Sequence, residues 1–264
     1  MSLQERAGYS VWSRSLGTGP RKGLMLHCSL AHGGAWRGLS AQFEGKFTFD
    51  APDFLSHGRS AMWDGKGSYH DACTAVAKSF LSDEPIDLVG HSFGATVALR
   101  LALDAPERVR SLVLIEPVFF AVALADDPDF VSDMSALEEV LTNEGRHAAT
   151  KAFLGQWGGG LPWAMMPKET QDDMASRIQV IIDAGPALYE DTAGMLAEGR
   201  MQALDMPVLL LRGSQSPHVV ETINAGLARR IPAAQTGAIE GAGHMAPISH
   251  PKECAAQMRA FWNL

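Results

Sequence analysis

One short segment constrains this chain more than any other: Gly90-His91-Ser92-Phe93-Gly94, set between the apolar run Ile86–Gly90 and a stretch of helical periodicity, Phe93–Leu103. A G-x-S-x-G sequence with a strand before it and a helix after it forces a sharp bend. Such a bend holds the serine in a strained conformation with its Oγ exposed. The flanking glycines let strand and helix approach without Cβ clashes. The helix beginning at Phe93 offers free N–H groups and a positive dipole end to a developing oxyanion. Ser92 is therefore expected to be a nucleophile; the bland alternative is a turn serine capping a helix.

The rest of the chain fits that reading. Apolar runs alternate with helical patterns, the signature of βαβ units and a parallel sheet. Strands are expected at 23–29, 47–53, 86–90, 109–115, 207–212 and, more weakly marked, 235–240, with helices at 69–81, 93–103, 222–230 and 252–262. Residues Val118 to Leu204 carry no clear strand. They hold Met134, Met165, Met166, Met174, Met195 and Met201, with Trp157 and Trp163 on either side of a Gly158-Gly159-Gly160 run. A mostly helical insertion over one end of the sheet accounts for this region. It divides the chain into a core of 1–117 and 205–264 and an inserted cap of 118–204.

Composition limits the partners. With 22 Lys plus Arg against 30 Asp plus Glu, the formal charge is −8, whereas phosphate backbones and anionic membranes call for a basic face. No nucleic-acid or membrane partner is expected. Cys28, Cys73 and Cys254 are far apart, odd in number and in no metal-binding spacing, so neither disulfides nor a metal site is implied. The polar start, Met1–Ala7, lacks the apolar core of a secretory signal. The greasiest stretch, Leu112–Ala125, is interrupted by Glu116 and Pro117 and falls short of the roughly 20 residues that span a bilayer. A cytoplasmic location is expected.

A second chemical signal lies near the C-terminus, at Gly241-Ala242-Gly243-His244-Met245. A histidine on a glycine-rich loop after a last strand can reach a serine distant in sequence, and an imidazole titrating near neutrality suits a general base. His244 is the expected base. The other histidines read as surface or packing residues, with His57 and His91 set apart by lying inside motif-like segments.

Together these segments resemble the α/β-hydrolase superfamily over nearly the whole chain. His27-Cys28-Ser29-Leu30, with Trp36 following, stands where that family has its oxyanion loop. The stretch from Asp53 to Ser60 (DFLSHGRS) resembles its acid-x-x-G-x-G-x-S segment, Gly90–Gly94 its nucleophile elbow, Leu204–Pro207 its penultimate strand entry, and Gly241–Met245 its histidine loop. The resemblance implies an α/β-hydrolase fold: a mostly parallel central sheet with helices on both faces and a helical cap. It also implies an oxyanion hole built from the backbone N–H groups of Ser29 and Phe93. Cys28 replaces a glycine common after the family histidine and reads as packing.

One departure matters. The family's acid usually follows the penultimate strand in a G-x-x-D segment, but here that segment is Gly213-Ser214-Gln215-Ser216. Glu116, ending the preceding strand, is the expected substitute: some family members carry their acid there, and the order nucleophile, acid, histidine is kept. The competing reading is an ion pair of Glu116 with Arg100 or Arg110, and Asp87, Asp191 and Glu221 are the remaining candidate acids.

The implied activity is hydrolysis of a carboxylic ester or thioester through an acyl-enzyme, without metal or organic cofactor, on a small molecule with an apolar part. The alternatives are a C–C bond hydrolase or amidase of the same fold, and a hydrolase-like receptor for a small ligand with little turnover.

Overall fold

The computed structural model describes residues 2–127 and 134–264; Pro128–Asp133, within the expected insertion, lie outside the described residues. Eight strands form one sheet: β1 (Ser2–Arg6), β2 (Tyr9–Leu16), β3 (Arg21–Leu26), β4 (Phe47–Pro52), β5 (Ile86–His91), β6 (Val109–Ile115), β7 (Val208–Gly213) and β8 (Ala234–Ile239), in the order β1-β2-β4-β3-β5-β6-β7-β8. All pairings from β4 to β8 are parallel, and β2 runs antiparallel to both of its neighbours.

The central strands are buried on both faces, which is why they read as continuous apolar runs. Leu24, Leu26, Leu88, Leu112, Leu114 and Leu210 face one core, which they share with Val76, Ala98 and Leu227 of helices Tyr69–Lys78, Phe93–Asp104 and His218–Arg230. Their alternating neighbours Met25, Val89, Val113, Leu209 and Leu211 face a second core, with Leu39, Phe43, and Met258 and Trp262 of the last helix, Pro251–Trp262. Helices thus cover both faces, as expected. No helix among the described residues is long and apolar enough to cross a membrane.

The sequence reading lacks the N-terminal hairpin. Ala7 and Gly8 both take positive φ (51° and 83°), and Arg6 pairs with Tyr9. This is the two-residue turn whose twist suits a hairpin. Three of the five β1 residues are exposed, so no inward–outward alternation marks the strand. Strand β3 also ends at Leu26, earlier than expected, and leaves residues 27–29 as loop.

Between β6 and β7 the described residues form short helices and no strand: Phe120–Asp126, Met134–Glu144, Arg146–Trp157, Lys168–Arg177, Gln179–Asp183 and Gly185–Tyr189. Met195 and Met201 of this region are buried in the core, whereas Met165 is exposed.

Two loops at the C-terminal ends of β3 and β4 are stitched together by buried polar groups. Asp53 is fully buried; it pairs with Arg14 and accepts the N–H groups of Gly33 (2.8 Å) and Arg59 (3.0 Å). His27 donates through Nδ1 to the Cys28 carbonyl (2.7 Å) and accepts the Phe54 N–H at Nε2 (2.9 Å). His57 mirrors it, donating to the Leu55 carbonyl (2.9 Å) and accepting the Leu30 N–H (2.9 Å). A third buried imidazole, His70, donates to Thr96 Oγ1 (3.2 Å), which itself donates to the Phe93 carbonyl (2.7 Å).

These imidazoles are held neutral. Burial pushes His57 and His70 down to about 4 and His91 to about 3, and it holds His27 well below 6.5. In the unfolded chain all four take up protons near pH 6.5. Below that pH the unfolded state binds more protons than the native state, so stability falls with pH until the native imidazoles themselves titrate. The urea midpoint is therefore expected to drop already between about pH 6.5 and 5, above the range of ordinary carboxylates. A flat midpoint across that window would contradict neutral burial.

Candidate active site

The elbow has the geometry that its glycines allow. Ser92 adopts φ 54° and ψ −120° between β5 and the helix Phe93–Asp104, and its N–H donates to the Ile115 carbonyl (2.9 Å). A Cβ on Gly90 would lie 2.4 Å from the Gly94 carbonyl oxygen, and one on Gly94 would lie 2.2 Å from that of Leu26. Both positions exclude any larger residue. The Phe93 N–H opens the helix and so lacks an intrahelical acceptor.

His244 follows β8 on a loop that begins with Gly241 at φ 74°. Gly213 lets this loop close in, since a Cβ there would meet the Ala242 carbonyl oxygen at 2.2 Å. Ser92 Oγ donates to His244 Nε2 at 2.9 Å, and His244 Nδ1 donates to Glu116 Oε2 at 2.9 Å. All three residues are buried. The remaining Glu116 oxygen, Oε1, accepts the Gly213 N–H and the Ser216 hydroxyl (2.7 Å). The carboxylate therefore makes three hydrogen bonds, which compensate much of the cost of burying it. A hydroxyl donating to an imidazole whose other nitrogen is held by a carboxylate is the arrangement that activates a serine at neutral pH.

The competing acids are engaged elsewhere. Asp87, at the opposite end of β5, binds Arg21 (2.7 Å through each oxygen), Arg110 (3.0 Å) and Ser111 (2.6 Å). Asp191 accepts the N–H groups of Met195 and Leu196, and Glu221 pairs with Arg212 at 2.8 Å. The arginines considered as partners for Glu116 are likewise committed, Arg100 to Asp71 and Arg110 to Asp87.

Two cavities meet at Ser92, one of about 270 Å³ and one of about 520 Å³, and Ser29, Phe153 and Trp157 line both. The loop after β3 thus reaches the cavities at Ser29. Cys28 lines the larger cavity, but burial pushes its thiol up to about 12, so it stays protonated at neutral pH.

Two contacts to His244 went unread in the sequence. His91 Nε2 donates to the His244 carbonyl (2.8 Å), tying the histidine loop to the elbow. Trp157 sets its ring edge-on to the imidazole at 4.8 Å. The position of His91 inside the elbow was the available signal for the first; nothing in the spacing of Trp157 pointed to the second.

Comparison with known proteins agrees with this architecture. A model of the alpha/beta hydrolase family matches residues 24–257. Lipase LipV of Mycobacterium tuberculosis is 27% identical over 253 residues, covering 92% of this chain and 94% of that protein. A pimeloyl-acyl carrier protein methyl ester esterase of Aeromonas salmonicida is 25% identical over 260 residues, covering 96% and 99%. Among solved structures, the enol-lactonase of Burkholderia xenovorans superposes with a TM-score of 0.74 at 15% identity over 100% of both chains. The haloalkane dehalogenase DatA of Agrobacterium tumefaciens gives 0.77 at 18% identity, covering 99% and 95%. The chain belongs to the alpha/beta hydrolase family.

Proposed function

We propose that the protein is a serine hydrolase that cleaves a carboxylic ester or thioester, with Ser92 as nucleophile, His244 as general base and Glu116 as the acid that orients the base. The observation that carries this reading is the unbroken hydrogen-bond chain from Ser92 Oγ through both ring nitrogens of His244 to Glu116, every link buried. Two relatives that align over most of their length are a lipase and a methyl ester esterase by name, which favours an ester over a C–C bond or an amide. The likeness to a dehalogenase is one of fold alone; enzymes of this fold with that activity need a carboxylate at the elbow, where this chain has Ser92.

In this mechanism His244 takes the Ser92 proton as Oγ attacks the carbonyl carbon. The N–H groups of Phe93 and Ser29 receive the oxyanion. Collapse expels the alcohol or thiol, which takes the proton from His244 and leaves an acyl-enzyme. Water then repeats the sequence with the same base. Glu116 keeps the imidazole in the Nδ1–H tautomer and stabilises the imidazolium that forms. Residues 118–204 act as a cap that shapes the substrate cavity over the core formed by 1–117 and 205–264.

Two experiments test this reading. Folded wild-type protein is expected to react stoichiometrically with a fluorophosphonate at Ser92 and to hydrolyse p-nitrophenyl butyrate, and Ser92→Ala is expected to abolish both. Folded wild-type protein that neither labels nor turns over would instead favour a ligand receptor. Glu116→Gln is expected to fold but lose about 10³–10⁴ in kcat, the loss seen when a triad carboxylate is neutralised. Wild-type turnover by that variant would remove Glu116 from the mechanism.

A further inference from the structure

The two cavities at Ser92 differ in a way that sorts the two halves of an ester. His244 and Met245 line the larger cavity and not the smaller. Trp157 stands between them: its ring meets His244, on the larger side, at 4.8 Å and Phe120, on the smaller side, at 5.8 Å. Building on the serine-hydrolase reading above, we infer that the smaller cavity takes the acyl chain and the larger takes the alcohol, so that the preferred substrate joins a neutral, apolar acid to an alcohol bulkier than methanol.

Proton accounting assigns the sides. As the serine Oγ–carbon bond forms, the hydroxyl proton passes to His244 Nε2. As the carbon–oxygen bond to the alcohol breaks, that oxygen carries away the bonding pair and takes the same proton, releasing a neutral alcohol. The departing oxygen must therefore lie within hydrogen-bonding reach of Nε2, and its substituent must extend into the space that His244 borders. That space is the 520 Å³ cavity, walled by Trp163, Met166 and Met174. The acyl chain leaves the same carbon in the other direction, towards Val118, Phe120, Leu137, Val140, Ile181 and Leu188. No charged side chain among the described residues lines that second space. Gln156 and Tyr189 are its polar side chains beyond Ser29 and Ser92; a carboxylate at the far end of an acyl chain would lose its hydration there with no cation among the described residues to neutralise it, which is costly.

The test is a grid of kcat/KM values: p-nitrophenyl esters from acetate to decanoate along one axis, and methyl, ethyl and benzyl octanoates along the other. Octanoate is expected to exceed acetate, and benzyl to exceed methyl, by at least about tenfold each, the scale on which an apolar pocket discriminates. The p-nitrophenyl monoester of octanedioic acid, with a free ω-carboxylate, is expected to fall below the octanoate by at least about the same factor.

Ala184, at the turn between Gln179–Asp183 and Gly185–Tyr189, and Val140 of the helix Met134–Glu144 both line the smaller cavity; narrowing it by Ala184→Phe or Val140→Phe should lower the octanoate-to-acetate ratio by about tenfold while leaving the benzyl-to-methyl ratio in place. Met166→Trp should do the reverse. If the narrowing variants move the alcohol ratio instead, or if the octanedioate monoester matches the octanoate, the assignment is wrong even though the protein is an esterase. If wild type cleaves no ester and Ser92 resists the fluorophosphonate, the serine-hydrolase reading falls, and the assignment falls with it.

Discussion

Parallel pairing sets His91 of β5 beside Ile115 of β6, and Ile115 beside Leu211 of β7, and the rest of the site depends on this register. Ser92 and Glu116 are the next residues along two adjacent strands, so they leave the sheet side by side at its C-terminal edge, about one strand spacing of 4.8 Å apart. The backbone adds to the lock: Ser92 donates its N–H to Ile115, and Glu116 donates its N–H to Leu211 (2.8 Å). Because side chains alternate along a strand, a slip of one residue would turn Glu116 to the opposite face. The other end of the sheet resists that slip. There Asp87 of β5 binds Arg21 of β3 and Ser111 of β6, and Ser111 accepts the indole N–H of Trp262 from the last helix (2.9 Å). A polar clamp at one edge thus helps to hold the geometry of the proposed chemistry at the other.

Backbone strain gathers where the register delivers these residues. Leu30, Ser92 and Glu116 all take positive φ, between 54° and 58°, a conformation that costs non-glycine residues of order 1–3 kcal/mol each. Such strain persists only where the surroundings over-determine it, and each of these positions is over-determined. Leu30 is held by its N–H on His57, and Ser92 by its N–H on Ile115 together with its Oγ on His244. Glu116 is gripped at its N–H and at both carboxylate oxygens. The neutral imidazole of His57 is part of that grip, because it accepts the Leu30 N–H only while its Nε2 is unprotonated.

What could be read in the sequence follows from which signals are local. The central strands were legible because burial on both faces leaves unbroken apolar runs, and Gly90–Gly94 was legible because a bend that tight admits few residues. The β1–β2 hairpin was not, since its pairing rests on Ala7 and Gly8 while most of β1 faces solvent. The roles of His27, His57 and His70 were hidden for a different reason: an imidazole that joins two loops through backbone groups carries no spacing signature. Within 118–204 the methionines looked alike in sequence, yet Met195 and Met201 are core whereas Met166 and Met174 line a cavity beside Ser92. Only packing separates them.

The absent carboxylate after β7 shows why a residue's role has to be argued in space and not along the chain. In the proposed mechanism an imidazolium forming at His244 needs a negative charge at Nδ1, and the strand that supplies it does not matter. β6 lies between β5 and β7, so a side chain leaving its end starts closer to Ser92 than one leaving the loop after β7. Glutamate, one methylene longer than aspartate, reaches Nδ1 from there at 2.9 Å. The vacated segment keeps a part in the arrangement. Ser216, standing where a G-x-x-D segment would end, turns its hydroxyl onto Glu116, and the N–H of Gly213 joins it. With the carboxylate on β6, the β7 loop supplies hydrogen-bond donors to it, and a donor is what serine can offer where it cannot offer a charge.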